Sequence, residues 1–438
     1  MKKYLGRPYE GYRTVYPKFG LQSAINLISL KTKQWFIMNN TAELWHFVNC
    51  RIIRNHQIIG EDIWVRDGKI VDPEKIFFDE RRDADHKYDC KGLLICPGFI
   101  ELQINGGYGY DFSFKDNTEE ALNVISKKLL EHGVTAFCPT LVTSPIEIYH
   151  KVLPKLKFRK GGSQGATILG AHVEGPFINK EKKGAHPPAC ILDYEQGISK
   201  LEEVYGSLDN IKIITLAPEF VNSSALIRNI RKKNIVISLG HSTADLATAE
   251  EALESGASLI THLFNAMLPF HHRDPGLVGL LASDKITESR PIFFGIIADS
   301  IHTHPAALRI AYKVHPGGLI LVTDAVSALG LEEGRHKIGQ MDVEIRDHKA
   351  FVAGTNTLCG SVATMIECVR NLIQATGCSV EYALEAASLH PAKVLGLDSQ
   401  KGTLNYGADA DFVVLTDDLV IDSTWISGKP VYTRKTRG

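Results

Sequence analysis

The chain has 438 residues and a net charge of −1, so we expect neither nucleic acid nor a membrane surface as a partner. Hydrophobic residues make up 44% and charged residues 23%, which is typical of a globular enzyme. No apolar run is long enough to span a bilayer. The length suits a barrel of eight strand–helix units with a small additional domain.

The cysteine pattern and the composition of the amino terminus indicate in which cellular compartment the protein is expected. The eight cysteines are scattered and none forms a Cys-x-x-Cys pair, so we expect reduced thiols and a cytoplasmic protein. Residues 1–44 are predicted to be an extension of unknown structure. Up to Asn40 this extension carries seven basic residues and one acid, Glu10. A transit peptide has that composition, but a disordered or weakly packed extension is the simpler interpretation.

Short strands are predicted near both chain ends. Residues 45–53 and 62–66 have the pattern of short strands separated by polar turn residues, and Asp67-Gly68 is a tight-turn signal before the next strand. Residues 411–415 and 420–426 give a similar pattern near the carboxyl terminus. We therefore predict one small β-sandwich domain, assembled from residues 45–96 and 390–438.

The middle of the chain, residues 97–389, contains repeated strand and helix patterns. Continuous apolar runs, which are typical of parallel strands buried on both faces, occur at residues 94–105, 134–142, 168–174, 211–218, 235–241, 259–264, 292–299 and 319–324. Helical spacing of apolar residues occurs between them, as at 119–131, 244–254 and 364–375. The sequence predicts an α/β protein with a (β/α)8 TIM-like barrel.

Several of these strands end on residues that can bind a metal. Glu174 ends the third run, His241 ends the fifth, and His262 lies near the end of the sixth. Carboxyl ends of barrel strands meet at one rim, where one carboxylate and two imidazoles form a typical catalytic zinc site. Asp324 directly follows the last run, although it could instead cap the next segment.

The motifs at the strand ends resemble the amidohydrolase superfamily and, within it, the animal-type N-acetylglucosamine-6-phosphate deacetylases. The similar segments are PGFIELQINGG at 97–107, HVEGPFI at 172–178, LGHS at 239–242, THLFNAM at 261–267 and VTDA at 322–325. Many amidohydrolases have His-x-His on the first strand and hold two metals, but this chain has Gln103-x-Asn105. We therefore expect one divalent cation, most simply Zn²⁺, at Glu174, His241 and His262.

The resemblance also implies an activity and its residues. It implies hydrolysis of an N-acetylated amino sugar phosphate, with Asp324 transferring protons and His302 stabilising the oxyanion. The substrate contacts that it implies are Gln103, Ala185, His186, Asn265, Ala266, Arg273, Asp299, His302, Thr357, Leu358 and Cys359. Arg273 is implied to bind phosphate across a homodimer interface, whereas Asp299 more simply orients His302 or binds a hydroxyl.

Two other functions remain open from the sequence. One is an amidohydrolase that opens a cyclic amide, although Gln103 and Asn105 do not supply the imidazoles of a two-metal site. The other is an inactive barrel that serves as a scaffold. Retention of Glu174, His241, His262 and Asp324 together argues against the scaffold.

Overall fold

The computed structural model describes residues 42–435, except 115, 339–340, 348, 356–357 and 359. Almost all of the predicted amino-terminal extension therefore lies outside the described residues. Leu44 begins the compact unit that contains the rest of the described chain. Within the described residues, no helix is both long and apolar enough to cross a lipid bilayer.

The central sheet is a nearly closed barrel of parallel strands. Barrel strands 1 to 8 are Phe99–Ile104, Val134–Val142, Ala171–Glu174, Ile211–Leu216, Val236–Leu239, Leu259–Ile260, Phe293–Ile297 and Leu319–Val322. Each strand pairs in parallel with the next one along the chain, and the short strand Thr167–Ile168 also pairs with barrel strand 2. The predicted (β/α)8 barrel is confirmed.

The helices alternate with the barrel strands and continue after them. They span Thr118–Leu129, Ile146–Val152, Ile198–Tyr205, Ser223–Arg231, Leu246–Ser255, Gly276–Gly279, Pro305–Val314, Met365–Thr376, Val380–Ala386 and Leu389–Val394. Capping sets several boundaries: the Asp245 carboxylate accepts a hydrogen bond from Thr248 N at 2.8 Å, and Gly256 ends the same helix with φ +115°. Shorter turns are the 3-10 segments Leu130–His132, Leu153–Lys155, Lys180–Lys182, Pro188–Cys190, Leu280–Ala282 and Pro316–Gly318, and the π-helix Lys75–Glu80.

Two further sheets bring the chain ends together. One has the strand order Lys69–Val71, Ile63–Arg66, Leu44–Val48, His86–Asp89, and the other Lys429–Thr433, Ile421–Ile426, Phe412–Leu415, Leu94–Pro97, Arg51–Arg54, Gln57–Gly60. Between them Phe47 packs edge-on against Phe412 and Trp425, with ring centroids 5.1 and 5.0 Å away. These sheets account for the additional β structure predicted from both ends.

The structure differs from the predicted elements in two ways. The apolar run at 94–105 is two strands rather than one, because the chain passes at Gly98 from an end sheet into the barrel. A side chain at Gly98 would collide with Thr135, so this crossing needs glycine. Beyond the barrel, Gly334–Ile338, Met341–Arg346 and Lys349–Val352 form a three-stranded antiparallel sheet that the sequence analysis did not predict, and Gly106–Gly107 pairs with Tyr110–Asp111.

The aromatic core between the end sheets should stabilise the fold. Phe47 is fully buried there, so Phe47→Ala should lower the free energy of unfolding by about 3–5 kcal/mol through lost burial and a residual cavity. The matched control is Phe77→Ala, because Phe77 is 73% exposed and should change stability by no more than about 0.5 kcal/mol. Urea unfolding of the two variants tests this, and equal losses would contradict the assigned core.

Candidate active site

Polar side chains collect at the carboxyl-terminal rim of the barrel. Glu174 is the last residue of barrel strand 3, and His241 and His262 each stand two residues beyond the end of strands 5 and 6. All three are at least 96% buried. Buried charged groups need partners, so their mutual arrangement defines the site.

Three atoms that could bind a metal converge at Glu174. His241 Nε2 and His262 Nε2 lie 3.1 and 3.0 Å from Glu174 Oε1. The two Nε2 atoms are themselves 3.1 Å apart. Ligands at about 2.0–2.1 Å from a tetrahedral zinc ion would lie about 3.3 Å from one another, so small adjustments would bring these atoms to coordinating positions.

The hydrogen bonds of the rings are consistent with metal binding through Nε2. His241 Nδ1 donates a hydrogen bond to the Lys182 carbonyl at 2.8 Å, which directs the Nε2 lone pair toward Glu174. His262 Nδ1 is buried and has no hydrogen-bond partner among the described residues. Glu174, His241 and His262 could therefore hold one divalent cation.

Two other buried histidines lie near this cluster. His186 Nε2 is 3.8 Å from Glu174 Oε2, and with Glu174 and His241 it forms a second possible ligand set. The closer approach of His262 to Glu174 favours His262 as the ligand. His172 instead hydrogen-bonds Leu102 O at 2.9 Å and Thr215 Oγ1 at 2.8 Å. It supports the strands beneath the site.

The electrostatics of the cluster follow from burial and pairing. Burial opposes ionisation of Glu174, but hydrogen bonds from His241 and His262 hold its pKa well below the usual range. Burial also disfavours the charged form of His262, yet the bond to Glu174 outweighs this and raises its pKa to about 9. Burial and the neighbouring His241 lower the pKa of His186 to about 3, so that ring is neutral. The ionised Glu174 carboxylate therefore lies beside a cationic His262 ring and a neutral His186 ring.

An amide pair connects the two carboxylates of the site. Gln103 Nε2 donates to Glu174 Oε1 at 2.9 Å and to Asp324 Oδ1 at 3.2 Å. Asn105 Nδ2 donates to the same Asp324 oxygen at 2.7 Å. Burial and the charge of Glu174 raise the pKa of Asp324 to about 6. Asp324 is therefore a carboxyl group that can gain and lose a proton near neutral pH.

Asp299 and His302 form a second pair on the rim. Asp299 Oδ2 accepts a hydrogen bond from His302 Nδ1 at 2.6 Å, and Asp299 Oδ1 accepts from the backbone N–H groups of Ile301 and His302. Burial raises the pKa of Asp299, but the His302 hydrogen bond prevails and lowers it. Both residues line a cavity of about 400 Å³ that Leu358 also lines. The pair could orient His302 toward a ligand.

The remaining predicted substrate residues lie in loops. Ala185 and Arg273 are exposed, whereas Asn265 and Ala266 are half-buried in the segment that follows His262. Thr357 and Cys359 lie outside the described residues. Within one chain the structure therefore brings together Glu174, His186, His241, His262, Gln103 and Asp324, while Arg273 stands in an exposed loop.

The backbone at the rim adopts a conformation that is rare for residues with side chains. His241 has φ +49°, His262 φ +27° and Asp324 φ +48°. Such left-handed positions cost free energy and persist where surrounding contacts fix them, which is common at functional sites. Their shared strain supports the rim as the candidate active site.

Sequence analysis did not assign roles to two buried residues, Glu101 in barrel strand 1 and Asn105 directly after it. Asn105 binds Asp324, and Glu101 accepts hydrogen bonds from Gln103 N and Thr323 N. A signal was present, because Glu101, Gln103 and Asn105 alternate along the strand and so share one face. Their partners on barrel strand 8 could not be read from that alternation.

The chain is similar to proteins of known family. A model of the amidohydrolase family matches residues 94–431. An N-acetylglucosamine-6-phosphate deacetylase from Danio rerio is 57% identical over 395 residues, covering 90% of this chain and 98% of that protein. The crystal structure of N-acetylglucosamine-6-phosphate deacetylase from Thermotoga maritima is 29% identical with a TM-score of 0.74, covering 89% of this chain and all of that one.

One similar structure contains a ligand. It is a mutant of the N-acetyl-D-glucosamine-6-phosphate deacetylase from Mycobacterium smegmatis in complex with N-acetyl-D-glucosamine-6-phosphate. It is 27% identical, with a TM-score of 0.74, and the match covers 90% of this chain and all of that one. A protein with this fold, matched over nearly the whole length of the chain, can therefore bind a phosphorylated amino sugar.

The cluster geometry predicts which histidine binds metal. His262→Asn should weaken divalent metal binding by at least about 10-fold, because it removes a nitrogen 3.0 Å from Glu174. His271→Asn is the matched control, since His271 is exposed and should leave the metal content unchanged. Elemental analysis of the purified variants measures both. Full metal content in His262→Asn together with loss in His186→Asn would assign the ligand to His186 instead.

Proposed function

The chain belongs to the amidohydrolase family, and on that premise we propose that it hydrolyses the acetamide of N-acetyl-D-glucosamine 6-phosphate, giving D-glucosamine 6-phosphate and acetate. The observation that carries this proposal is the 57% identity to a deacetylase over 90% of the chain. The buried cluster at Glu174 supports it, because amide hydrolysis needs an activated water and a proton donor at one rim.

A divalent metal ion goes with this activity, and we propose that Glu174, His241 and His262 hold one such ion per chain. Zinc is our proposal for its identity, since two imidazoles and a carboxylate suit it. When bound, the ion lowers the pKa of a water molecule and polarises the amide carbonyl. Gln103 and Asn105 favour a single ion, because their amide N–H groups donate to the carboxylates that a second ion would need.

Asp324 is the proposed proton carrier. Among the described residues, the hydrogen bonds from Asn105 and Gln103 both go to Oδ1, so Oδ2 can take a proton from the attacking water. The protonated carboxyl then donates to the amide nitrogen, which is too poor a leaving group unless it is protonated. A pKa raised to about 6 by burial and by Glu174 suits both transfers.

His302 is the proposed oxyanion stabiliser. Its Nδ1–H donates to Asp299, which fixes the ring and leaves Nε2 for the substrate. In the protonated ring, Nε2–H would donate a hydrogen bond to the carbonyl oxygen as negative charge develops there. Asp299 holds the ring in this orientation and so acts through His302.

The phosphate of the substrate needs donors, and we propose that Arg273 supplies them. Arg273 lies in the exposed loop that also contains Phe270, His271 and His272. Exposure within one chain agrees with a role across a homodimer, in which the loop would reach the partner's substrate. Gln103, Ala185, His186, Asn265, Ala266, Leu358, Thr357 and Cys359 complete the proposed substrate contacts.

The organisation of the chain is also proposed. Residues 45–96 with 390–438 would form the small β domain and residues 97–389 the catalytic barrel, which the aromatic contacts between the two end sheets support. A cytoplasmic location is our proposal because the described cysteines are free thiols. Opening of a cyclic amide and a scaffold role are not favoured, since relatives that are 57–58% identical to this chain are named N-acetylglucosamine-6-phosphate deacetylase.

Acetate release tests the activity and the role of Asp324. The purified protein should release acetate from N-acetylglucosamine 6-phosphate with about one metal ion per chain. Because the proton carrier must start as a carboxylate and its pKa is raised to about 6, kcat should fall as the pH drops through that value.

Asp324→Asn should keep the metal and the thermal stability but lose nearly all turnover. Substantial remaining activity would remove Asp324 from the mechanism. Metal without acetate release by the unaltered protein would favour a different amide substrate, and neither metal nor acetate release would favour the scaffold.

Arg273→Ala should act on the phosphorylated substrate selectively. Loss of a cation that pairs with phosphate should reduce kcat/KM for N-acetylglucosamine 6-phosphate by about 10-fold or more, with little effect on unphosphorylated N-acetylglucosamine. Arg231→Ala is the matched control, because Arg231 is exposed near the amino-terminal end of the barrel strands. Equal effects of Arg273→Ala on the two sugars would refute the phosphate contact.

A further inference from the structure

Glu101 is a buried carboxyl group with no role in the proposed mechanism. It lies in the middle of barrel strand 1, fully buried, on the same face as Gln103 and Asn105. Among the described residues it has no cationic partner within ion-pair distance. A buried carboxyl group without a cation is costly, so its hydrogen bonds must explain why it is there.

The two oxygens of Glu101 bind two different strands. Oε1 accepts a hydrogen bond from Gln103 N at 2.9 Å, within barrel strand 1. Oε2 accepts one from Thr323 N at 3.1 Å, at the end of barrel strand 8. The Thr323 side chain also favours the ionised form of this carboxylate and so opposes the rise of its pKa. Glu101 therefore joins the first strand of the barrel to the last.

At this junction the barrel sheet of the described residues is not closed by a ladder of paired strands. In the described part of the chain, strands 1 and 8 do not pair as a regular ladder. The isolated bridge between Ile104 and Ala325 joins them, and Asp324 N donates to Gln103 O at 2.9 Å. Glu101 satisfies the neighbouring Thr323 N–H, which has no ladder partner there. The carboxylate thus substitutes for the missing strand pairing directly below Asp324.

The position of Asp324 depends on both residues that Glu101 joins, Gln103 and Thr323. The Asp324 backbone sits at φ +48°, next to Thr323, and the Asp324 carboxylate receives hydrogen bonds from the side chains of Gln103 and Asn105. We propose that Glu101 is a positioning residue for Asp324, which holds the Thr323 and Gln103 backbones so that the Asp324 carboxylate faces Glu174. This inference rests on the proposed role of Asp324 as the proton carrier.

The chemistry of the junction requires two acceptor atoms. Burial raises the pKa of Glu101 to about 8, with the Gln103 and Thr323 hydrogen bonds opposing the shift. In either protonation state both oxygens keep a lone pair for a backbone N–H. A glutamine has almost the same shape but places an NH2 group where one N–H must be accepted. Glu101→Gln therefore removes one of the two hydrogen bonds from the backbone N–H groups of Gln103 and Thr323, without leaving a cavity in the core.

The experiment compares kcat, KM and metal content in Glu101→Gln. We expect kcat for N-acetylglucosamine 6-phosphate to fall about 10- to 100-fold, because a small displacement of a reacting group has effects of that size. KM should change by less than about threefold and the metal content should stay at about one ion per chain, since the hydrogen bonds of Glu101 go to Gln103 N and Thr323 N and not to Glu174, His241 or His262. Thr323→Val, which removes the hydroxyl but keeps the backbone N–H, should lower kcat by a smaller factor.

The matched control is Glu385→Gln. Glu385 is another buried glutamate, and its carboxylate pairs with the exposed His56 and not with a rim residue, so kcat should be unchanged. The inference would be overturned if kcat of Glu101→Gln stayed within about threefold of the kcat of the unaltered protein. It would also be overturned if Glu101→Gln lost metal and kcat in parallel, because that result indicates general damage to the fold. If Glu101→Gln does not fold, an unchanged kcat in Thr323→Val overturns it. No acetate release by the unaltered protein would refute the proposed function itself, and this inference with it.

Discussion

The crowding of two imidazole nitrogens around one oxygen of Glu174 is the constraint on which the site depends. Two imidazole nitrogens lie 3.0 and 3.1 Å from that oxygen, inside a rim that excludes most water. Without a cation these atoms can coexist only by sharing protons, which is why the pKa of Glu174 is held low and that of His262 is raised to about 9. A divalent cation would replace those protons and would be bound by the Glu174 oxygen and the two imidazole nitrogens together. Such a cation would explain why barrel strands 3, 5 and 6 place these atoms next to one another.

The amides on barrel strand 1 decide what the neighbouring carboxylate can do. Glu174 and Asp324 would repel each other as bare anions, and Gln103 lies between them with one N–H for each. Imidazoles in these positions could instead bind a second cation, which would take Asp324 as a ligand. Amide donors leave one oxygen of Asp324 uncommitted among the described residues. In the proposed mechanism, the Gln-x-Asn pair thus separates the carboxylate that would bind the metal from the one that would carry the proton.

The sequence predicted the barrel and the identity of its rim residues for the same reason. Parallel strands that are buried on both faces are apolar runs, and the carboxyl ends of these strands meet at one rim of the barrel. Glu174, His241 and His262 could therefore be grouped from their positions at the ends of such runs. The split of the first run at Gly98 was not predictable, because both halves are apolar and the change of sheet depends on contact with Thr135. The bridge from Glu101 to Thr323 was equally hidden, since it depends on how the last strand meets the first.

The strained rim connects these observations. His241, His262 and Asp324 all have left-handed backbone, which sequence patterns do not reveal and which needs external support. His241 obtains it through the Lys182 carbonyl, and Asp324 through Asn105, Gln103 and the backbone of Thr323. Below His262, Thr261 hydrogen-bonds Thr215, which in turn binds His172. The polar residues buried inside the barrel therefore hold the unfavourable backbone of His241, His262 and Asp324 in one arrangement. Apolar residues could fill the same space. They could not accept or donate the hydrogen bonds that this backbone requires.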